Sequence, residues 1–138
     1  MKFLFDASSL LQMIKTFEEE KTLRVLHQNC ILDLTKYEVG NTLWKEQVQH
    51  RAIRQDEFQE FLNLLQRLVQ RTHVLTVDAK KLSDVAEVAA KERITFYDAS
   101  YITVAKAHSL VLITEDGQLT SAASKYIETF TAERVKTV

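Results

Sequence analysis

Short apolar runs alternate with longer stretches of helical periodicity, and this alternation is the strongest constraint on the fold. The runs predicted as strands cover residues 2–5, 30–34, 73–77 and 110–113, with a weaker fifth run at 125–131. Strands joined by helical connections of ten or more residues pair in parallel. The pattern therefore predicts an α/β class fold in which a parallel sheet lies between helices.

The helical segments are recognised by apolar residues at three- and four-residue spacing. They are predicted after residue 6, from Thr35, and over residues 56–70, 79–92 and 98–107. The charged stretch at 18–21 is either a turn or a helix start. No linker, repeat or low-complexity segment interrupts the chain, so residues 1–138 are expected to form a single domain.

The chain has two glycines and no proline, which excludes several kinds of site. Gly40 and Gly117 lie too far apart for a P-loop, a dinucleotide-binding fingerprint or a G-x-S-x-G nucleophile elbow. The lone Cys30 allows neither an intramolecular disulfide nor a cysteine-based zinc site, and no histidine pair has H-E-x-x-H spacing. Sites built on these glycine motifs, on cysteine-bound zinc or on an H-E-x-x-H zinc motif are therefore excluded.

Charge and hydropathy favour a cytoplasmic location. The formal net charge of −1 supplies no overall attraction to a polyanion, so contacts with nucleic acid must be local. The apolar run at the start ends at Asp6, which is too early for a signal peptide. No apolar run reaches the 18 or so residues that a membrane span requires.

Four carboxylates are expected at one edge of the predicted sheet. Asp6 directly follows the first strand, and Asp116 closely follows the run at 110–113. Glu38 and Asp98 lie near the starts of two helices. Because ligands bind beyond the carboxyl ends of the strands in open α/β sheets, this edge is the expected site.

Each acid also has a purely structural interpretation. Thr35 and Glu38 match a capping box, Asp98 and Asp6 are candidate N-caps, and Asp116 with Gly117 matches a turn. Four ionised acids at one edge, however, would repel by about 3 kcal/mol per pair at ~5 Å and an effective dielectric of ~20. A bound cation relieves that repulsion, and oxygen-only ligands favour Mg²⁺ or Mn²⁺.

Four segments in this order carry a resemblance to a known family. They are DAS at residues 6–8, EVGNTL at 38–43, YDASY at 97–101 and LITEDGQL at 112–119. In sequence and spacing they resemble a PIN domain, most closely the VapC type of ribonuclease toxin. The resemblance extends over essentially the whole chain.

The resemblance implies a three-layer α-β-α domain with a parallel sheet of about five strands, and an RNA-cleaving enzyme dependent on Mg²⁺ or Mn²⁺ that leaves a 5′-phosphate. The residues that correspond to the family's catalytic and metal-binding acids are Asp6, Glu38, Asp98 and Asp116. The supporting positions are Ser8, Thr114, Glu115 and Asn41. The family also implies a homodimer that is blocked by a small antitoxin protein.

Two surfaces are candidates for partners. Lys45, Arg51 and Arg54, with His50 between them, form the densest basic run and are predicted either to bind RNA or to be a solvated helix end. Most of the large apolar residues of this region are expected to be core: Trp44, Phe58, Phe61, Leu62, Leu65 and Leu68. Leu64 and Val69 widen the apolar face of 56–70, which predicts a residual patch for another subunit or an amphipathic helix.

Two other interpretations remain. In the first, the chain is a catalytically silent PIN-like module that binds RNA or a partner, and the acids are only caps. In the second, it is an aspartyl-phosphate receiver or phosphatase. Ser8 stands where the phosphatase signature has a second Asp, and the acidic pair and late lysine of a receiver are not found. The glycines carry a further hypothesis: Gly117 eases a sharp turn that aims Asp116, and Gly40 leaves room near the site.

Overall fold

The structure, a computed structural model, describes residues 1–136 as one five-stranded sheet flanked by helices. The strand order is β3-β2-β1-β4-β5, and every neighbouring pair is parallel. This confirms the predicted α/β fold class. The strands are β1 (Phe3–Phe5), β2 (Cys30–Leu32), β3 (His73–Leu75), β4 (Val111–Ile113) and β5 (Thr129–Phe130).

Helices connect the strands and cover both faces of the sheet. A π-helical segment, Lys45–Gln49, continues α3, and a 3-10 turn, Ala79–Lys81, precedes α5. No helix within residues 1–136 is long and apolar enough to cross a membrane. The α-helices are α1 (Ala7–Thr16), α2 (Glu19–His27), α3 (Asp33–Trp44), α4 (Gln55–Arg71), α5 (Leu82–Glu92), α6 (Phe96–Ala107), α7 (Gly117–Ala123) and α8 (Ala132–Lys136).

The strands are buried on both faces, and alternate residues serve two separate cores. On β1, Phe3 and Phe5 pack with residues of α1 to α4, whereas Leu4 packs with residues of α6 and α7. This division follows from the two-residue period of a strand, which turns successive side chains to opposite faces. The result is the three-layer α-β-α arrangement.

The connections bring several helix starts to the carboxyl edge of the sheet. α1, α3 and α7 begin within four residues of the ends of β1, β2 and β4. α6 runs back toward the start of β4, so its own first turn also lies at this edge. Four helix N-termini therefore surround the carboxyl ends of the three central strands.

Several predicted boundaries are wrong by a few residues. β2 ends at Leu32 rather than at residue 34, and α3 begins at Asp33 rather than at Thr35. The reason is a local hydrogen bond: the Leu32 amide donates to Thr35 Oγ1 over 3.1 Å, which places Thr35 inside the first helical turn. β3 and β5 are likewise shorter than predicted, and α6 begins two residues earlier, at Phe96.

The predicted division of α4 and its surroundings between core and surface is only partly right. Leu65 and Leu68 are buried as expected, and Phe58, Phe61 and Leu62 are half-buried. Leu64, predicted to widen an exposed patch, is buried because α4 packs against both α2 and α3, and Val69 is half-buried. Trp44, predicted as core, is exposed on α3.

Candidate active site

The four predicted acids share one cavity at the carboxyl edge of the sheet. Its volume is about 280 Å³, and its walls come from the first two turns of α1 and α6, the second and third turns of α3, and the N-cap of α7. Ser8 also lines it, as expected of a supporting residue. The complete lining is Asp6, Ala7, Ser8, Leu11, Glu38, Thr42, Asp98, Tyr101 and Asp116.

Asp6 lies at the base of this cavity, where β1 passes into α1. It is the N-cap of α1, and its Oδ1 accepts hydrogen bonds from the Ser9 amide and the Ser8 hydroxyl, both over 2.8 Å. The Thr114 hydroxyl donates to Oδ2 over 2.5 Å. Burial raises the pKa of Asp6 despite these hydrogen bonds, which act to lower it. Asp6 thus caps α1, as its structural interpretation predicts, and its carboxylate also faces the cavity.

Glu38 is held by a tyrosine rather than by its own helix. The Tyr101 hydroxyl of α6 donates to Glu38 Oε1 over 2.7 Å and lies 2.8 Å from Thr35 Oγ1. The capping box predicted for Thr35 and Glu38 is wrong, because Thr35 accepts from Leu32 at the start of the helix. Burial raises the pKa of Glu38, and the Tyr101 hydrogen bond opposes this while the charges of Asp98 and Asp6 add to it.

Tyr101 is a site residue to which the sequence analysis assigned no role. It follows Asp98 by three positions, so both side chains lie on the same face of α6. This three-residue spacing is the sequence signal from which a role for Tyr101 could be predicted. Burial, followed by the charge of Glu38, raises the pKa of Tyr101, so its hydroxyl stays protonated and donates to the glutamate.

Asp98 lies in the first turn of α6 but does not cap it. Thr95 is the N-cap, and its Oγ1 accepts from the Asp98 amide over 3.0 Å. The interpretation of Asp98 as a cap is therefore wrong. Burial raises the pKa of Asp98, and the charges of Asp116 and Asp6 raise it further.

Asp116 both caps a helix and faces the cavity. Its Oδ1 accepts from the amides of Gln118 and Leu119 over 2.8 and 3.2 Å, at the start of α7. Gly117 adopts no conformation that favours glycine, since neither glycine has a positive φ. A Cβ at Gly117 or Gly40 would meet nothing within 4 Å, so neither position requires glycine.

The supporting residues divide into two that reach the acids and two that do not. Ser8 and Thr114 both donate to Asp6, and their hydroxyls lie 3.2 Å apart. Glu115 donates its amide to Ser8, but its carboxylate turns away and accepts from the Ala132 amide over 2.9 Å. Asn41 is exposed on α3 and does not line the cavity.

The predicted basic residues lie outside the cavity. Lys45, Arg51 and Arg54 are exposed, and Arg54 forms an ion pair with Asp56 over 3.0 Å. Arg51 adopts a positive φ of 51° after the end of the π-helical segment. No lysine, arginine or histidine is among the cavity's lining residues in the described part of the chain.

The donor set of the cavity fits a hard divalent cation. It offers carboxylate oxygens without nitrogen or sulfur. The charges of Asp98 and Asp6 raise the pKa of Glu38, and those of Asp116 and Asp6 raise the pKa of Asp98. The described hydrogen bonds occupy only one oxygen of Glu38 and one of Asp116. Within residues 1–136, however, no three of the side chains that bind metals are already grouped as a preformed site.

The raised pKa values make the folded chain sensitive to pH. A carboxyl group whose pKa is higher in the folded than in the unfolded state makes its full contribution to folding stability at pH values below its unfolded-state pKa. This contribution is lost as the pH rises through its folded-state pKa. In a chelator-containing buffer, we expect the free energy of unfolding to increase as pH is lowered from about 7.5 to about 5. Urea titrations at each pH measure this change.

The Asp98→Asn variant serves as the control for this pH series. It lacks one of the three cavity carboxyl groups with a raised pKa, so its free energy of unfolding should increase less steeply as pH falls. Glu92, whose pKa is lowered by Lys125 and Tyr126, contributes equally to both proteins. Equal slopes for the two proteins would contradict the electrostatic coupling of the cavity.

Comparison with known proteins places this domain in a family. The model of the PIN domain matches residues 3–125. Exonuclease VapC9 of Pyrobaculum aerophilum is 34% identical over 119 residues, covering 86% of this chain and 84% of that protein. Ribonuclease VapC3 of the same organism is 32% identical over 125 residues, covering 86% and 92%.

Two solved structures superpose on this chain over most of its length. The crystal structure of PAE2754 from Pyrobaculum aerophilum superposes with a TM-score of 0.81 at 31% identity and covers 99% of this chain and 95% of that one. The structure of FitAB bound to an IR36 DNA fragment has a TM-score of 0.61 at 14% identity and covers 94% of both, so it shows the fold alone. The chain belongs to the PIN domain family. The resemblance to VapC-type proteins is thereby confirmed.

Proposed function

We propose that this protein is an Mg²⁺- or Mn²⁺-dependent endoribonuclease and the toxin component of a type II toxin–antitoxin pair. The observation that carries the proposal is the convergence of Asp6, Glu38, Asp98 and Asp116 on one cavity from four different helices and their N-caps. The names of the two VapC relatives, an exonuclease and a ribonuclease, support nuclease activity.

The four acids are proposed to hold the divalent ion or ions. Bound there, a divalent cation lowers the pKa of a water molecule and neutralises charge on the scissile phosphate. Thr114 and Ser8 fix the orientation of Asp6, and Tyr101 fixes that of Glu38, so the carboxylate oxygens keep their positions. Leu11 supplies an apolar patch to the cavity wall.

The partners follow from the same proposal. The protein is expected to act in the cytoplasm on RNA, to form a homodimer and to be blocked by a small antitoxin protein. The cavity is acidic and lacks basic side chains among the described residues, so a basic side chain of the antitoxin would be electrostatically complementary to it. The exposed run of Lys45, Arg51 and Arg54 remains a proposed contact for RNA outside the cavity.

The alternative of a catalytically silent binding module rests on the caps. Asp6 and Asp116 do cap α1 and α7, which is a sufficient structural reason for both. Glu38 and Asp98 cap nothing, and burial beside other acids raises their pKa values. Because neither of these two carboxylates is explained by capping, their presence in one cavity favours the catalytic proposal over the silent one.

The proposed activity is tested with purified protein and labelled RNA. Linear and circular single-stranded RNA of the same sequence are incubated with Mn²⁺, with Mg²⁺ and with EDTA. Cleavage of both substrates with a divalent ion and none in EDTA is expected, with products that carry a 5′-phosphate. Degradation of linear RNA alone would contradict the endonuclease and favour the exonuclease activity named for one relative.

A further inference from the structure

Exposed aromatic side chains are concentrated on α3 and α6, close in sequence to two acids of the cavity. Tyr37, Tyr97 and Phe96 are 64%, 58% and 43% exposed, and each lies within two residues of Glu38 or Asp98. Elsewhere in residues 1–136, Trp44 is the only aromatic side chain among the exposed large apolar ones. Such clustering beside one site is the pattern expected of a binding surface rather than of scattered surface residues.

Tyr97 lies in the first turn of α6, directly before Asp98. It precedes Tyr101 by four positions and therefore lies one helical turn away from it on the same face of α6. Tyr101 is buried in the cavity wall, where it donates to Glu38. Tyr97 continues this face of the helix and is exposed.

Tyr37 lies on α3, another of the helices that line the cavity. It directly precedes Glu38, so the two Cα atoms are about 3.8 Å apart. Lys36 Nζ lies 5.1 Å from the centre of the Tyr37 ring, and the Asp33 carboxylate holds that ammonium group over 2.6 Å. The ring is therefore supported from one side by a cation and remains largely exposed.

The chemistry of the cavity requires a contact of this kind. Its four carboxylates repel an RNA backbone, and no basic side chain among the described residues lines it. A bound divalent ion offsets this repulsion only at the reacting phosphate. Aromatic rings bind single strands without using charge, because every nucleobase has a face that stacks.

We propose that Tyr97 and Tyr37 are nucleobase-stacking residues that hold single-stranded RNA across the cavity. The two rings belong to α6 and α3, two of the helices that line the cavity, and each would stack on one base of the bound strand. This inference rests on the proposed ribonuclease function and adds a preference for single-stranded over paired RNA. Paired bases are already stacked within a duplex and are not free to stack on these rings.

Truncation of each ring tests the proposal. Tyr97→Ala and Tyr37→Ala are each expected to raise KM for single-stranded RNA by about five- to 100-fold, while kcat changes by less than about threefold. Tyr97→Phe and Tyr37→Phe keep the ring and should keep the wild-type KM. Leu82→Ala, an equally exposed truncation on α5, is the matched control and should change neither constant.

A modified substrate identifies the base that each ring contacts. RNA with an abasic sugar at one position beside the cleavage site should raise the wild-type KM by the same factor as the corresponding alanine variant. The alanine variant should lose nothing further on that substrate, because the contact is already absent. Additive losses would overturn the assignment of that base to that ring.

Binding and oligomer measurements separate the remaining outcomes. Fluorescence anisotropy with a labelled single-stranded RNA measures Kd even where no cleavage occurs, and equal Kd values for wild type and both alanine variants overturn the stacking proposal. A wild type that binds RNA but never cleaves it overturns the proposed function alone. A change in sedimentation coefficient on truncation overturns the stacking proposal, because the rings would then be covered by a second copy of the chain.

Discussion

The Asp98→Asn variant is expected to lose metal-dependent RNA cleavage by about a thousandfold or more. Removing a ligand of the catalytic ion forfeits several kcal/mol of transition-state stabilisation. Asp98 is the sharpest position for this test because Thr95, not Asp98, caps α6, so the helix keeps its cap in the variant. Initial rates with saturating Mn²⁺ and single-stranded RNA measure the loss.

The same variant separates catalysis from folding. Without metal, its free energy of unfolding should equal or exceed that of wild type, since the half-buried charge that raises the pKa of Glu38 is gone. Mn²⁺ should raise the Tm of wild type and raise that of the variant less. A large loss of stability in the variant would instead assign Asp98 a structural role.

Asp84→Asn is the matched control for Asp98→Asn. Asp84 also lies in the first turn of a helix, α5, and is exposed outside the acidic cavity, where its carboxylate is 3.6 Å from Lys81. Its replacement should leave cleavage within about twofold of wild type, since exposed ion pairs contribute 1 kcal/mol or less. Cleavage retained by Asp98→Asn would refute the catalytic assignment.

Thr114→Val is expected to lower kcat/KM by about ten- to 100-fold, as is typical when a partner that orients a metal ligand is lost. Thr114 is buried, and its hydroxyl donates to Asp6 Oδ2 while accepting from the Asp116 amide over 3.0 Å. Valine has nearly the same shape but leaves the buried Asp6 oxygen with only the Ser8 hydroxyl. A stability cost of about 1–3 kcal/mol should accompany the change.

The conservative variant Thr114→Ser makes this a test of the hydroxyl. It restores the donor and should recover most of kcat/KM, with the Mn²⁺ concentration for half-maximal activity returning toward wild type. Thr103→Val is the control, because that hydroxyl only donates to the Ala99 carbonyl within α6. If Thr114→Val and Thr103→Val behave alike, the hydroxyl network around Asp6 has no part in the reaction.

Much of the site follows from local pattern. Asp6 directly follows a buried strand, and that position alone assigns it to the carboxyl edge of a parallel sheet. Asp98 and Tyr101 are three residues apart on one helix, so their shared face follows from helical periodicity. The exposed position of Tyr97 follows less directly, because it depends on where α6 extends past the sheet.

What the sequence by itself determined is the order of the five strands and of α1, α3, α4, α5 and α6 along the chain, and therefore the edge at which all four acids lie. Only the tertiary structure decided which side chains meet there. Thr114 reaches Asp6 across 108 positions, Tyr101 reaches Glu38 across 63, and Glu115 turns to Ala132 although it stands beside Asp116. Periodicity describes neighbours along one element, whereas these contacts depend on how separate elements pack, as does the burial of Leu64 between α2, α3 and α4.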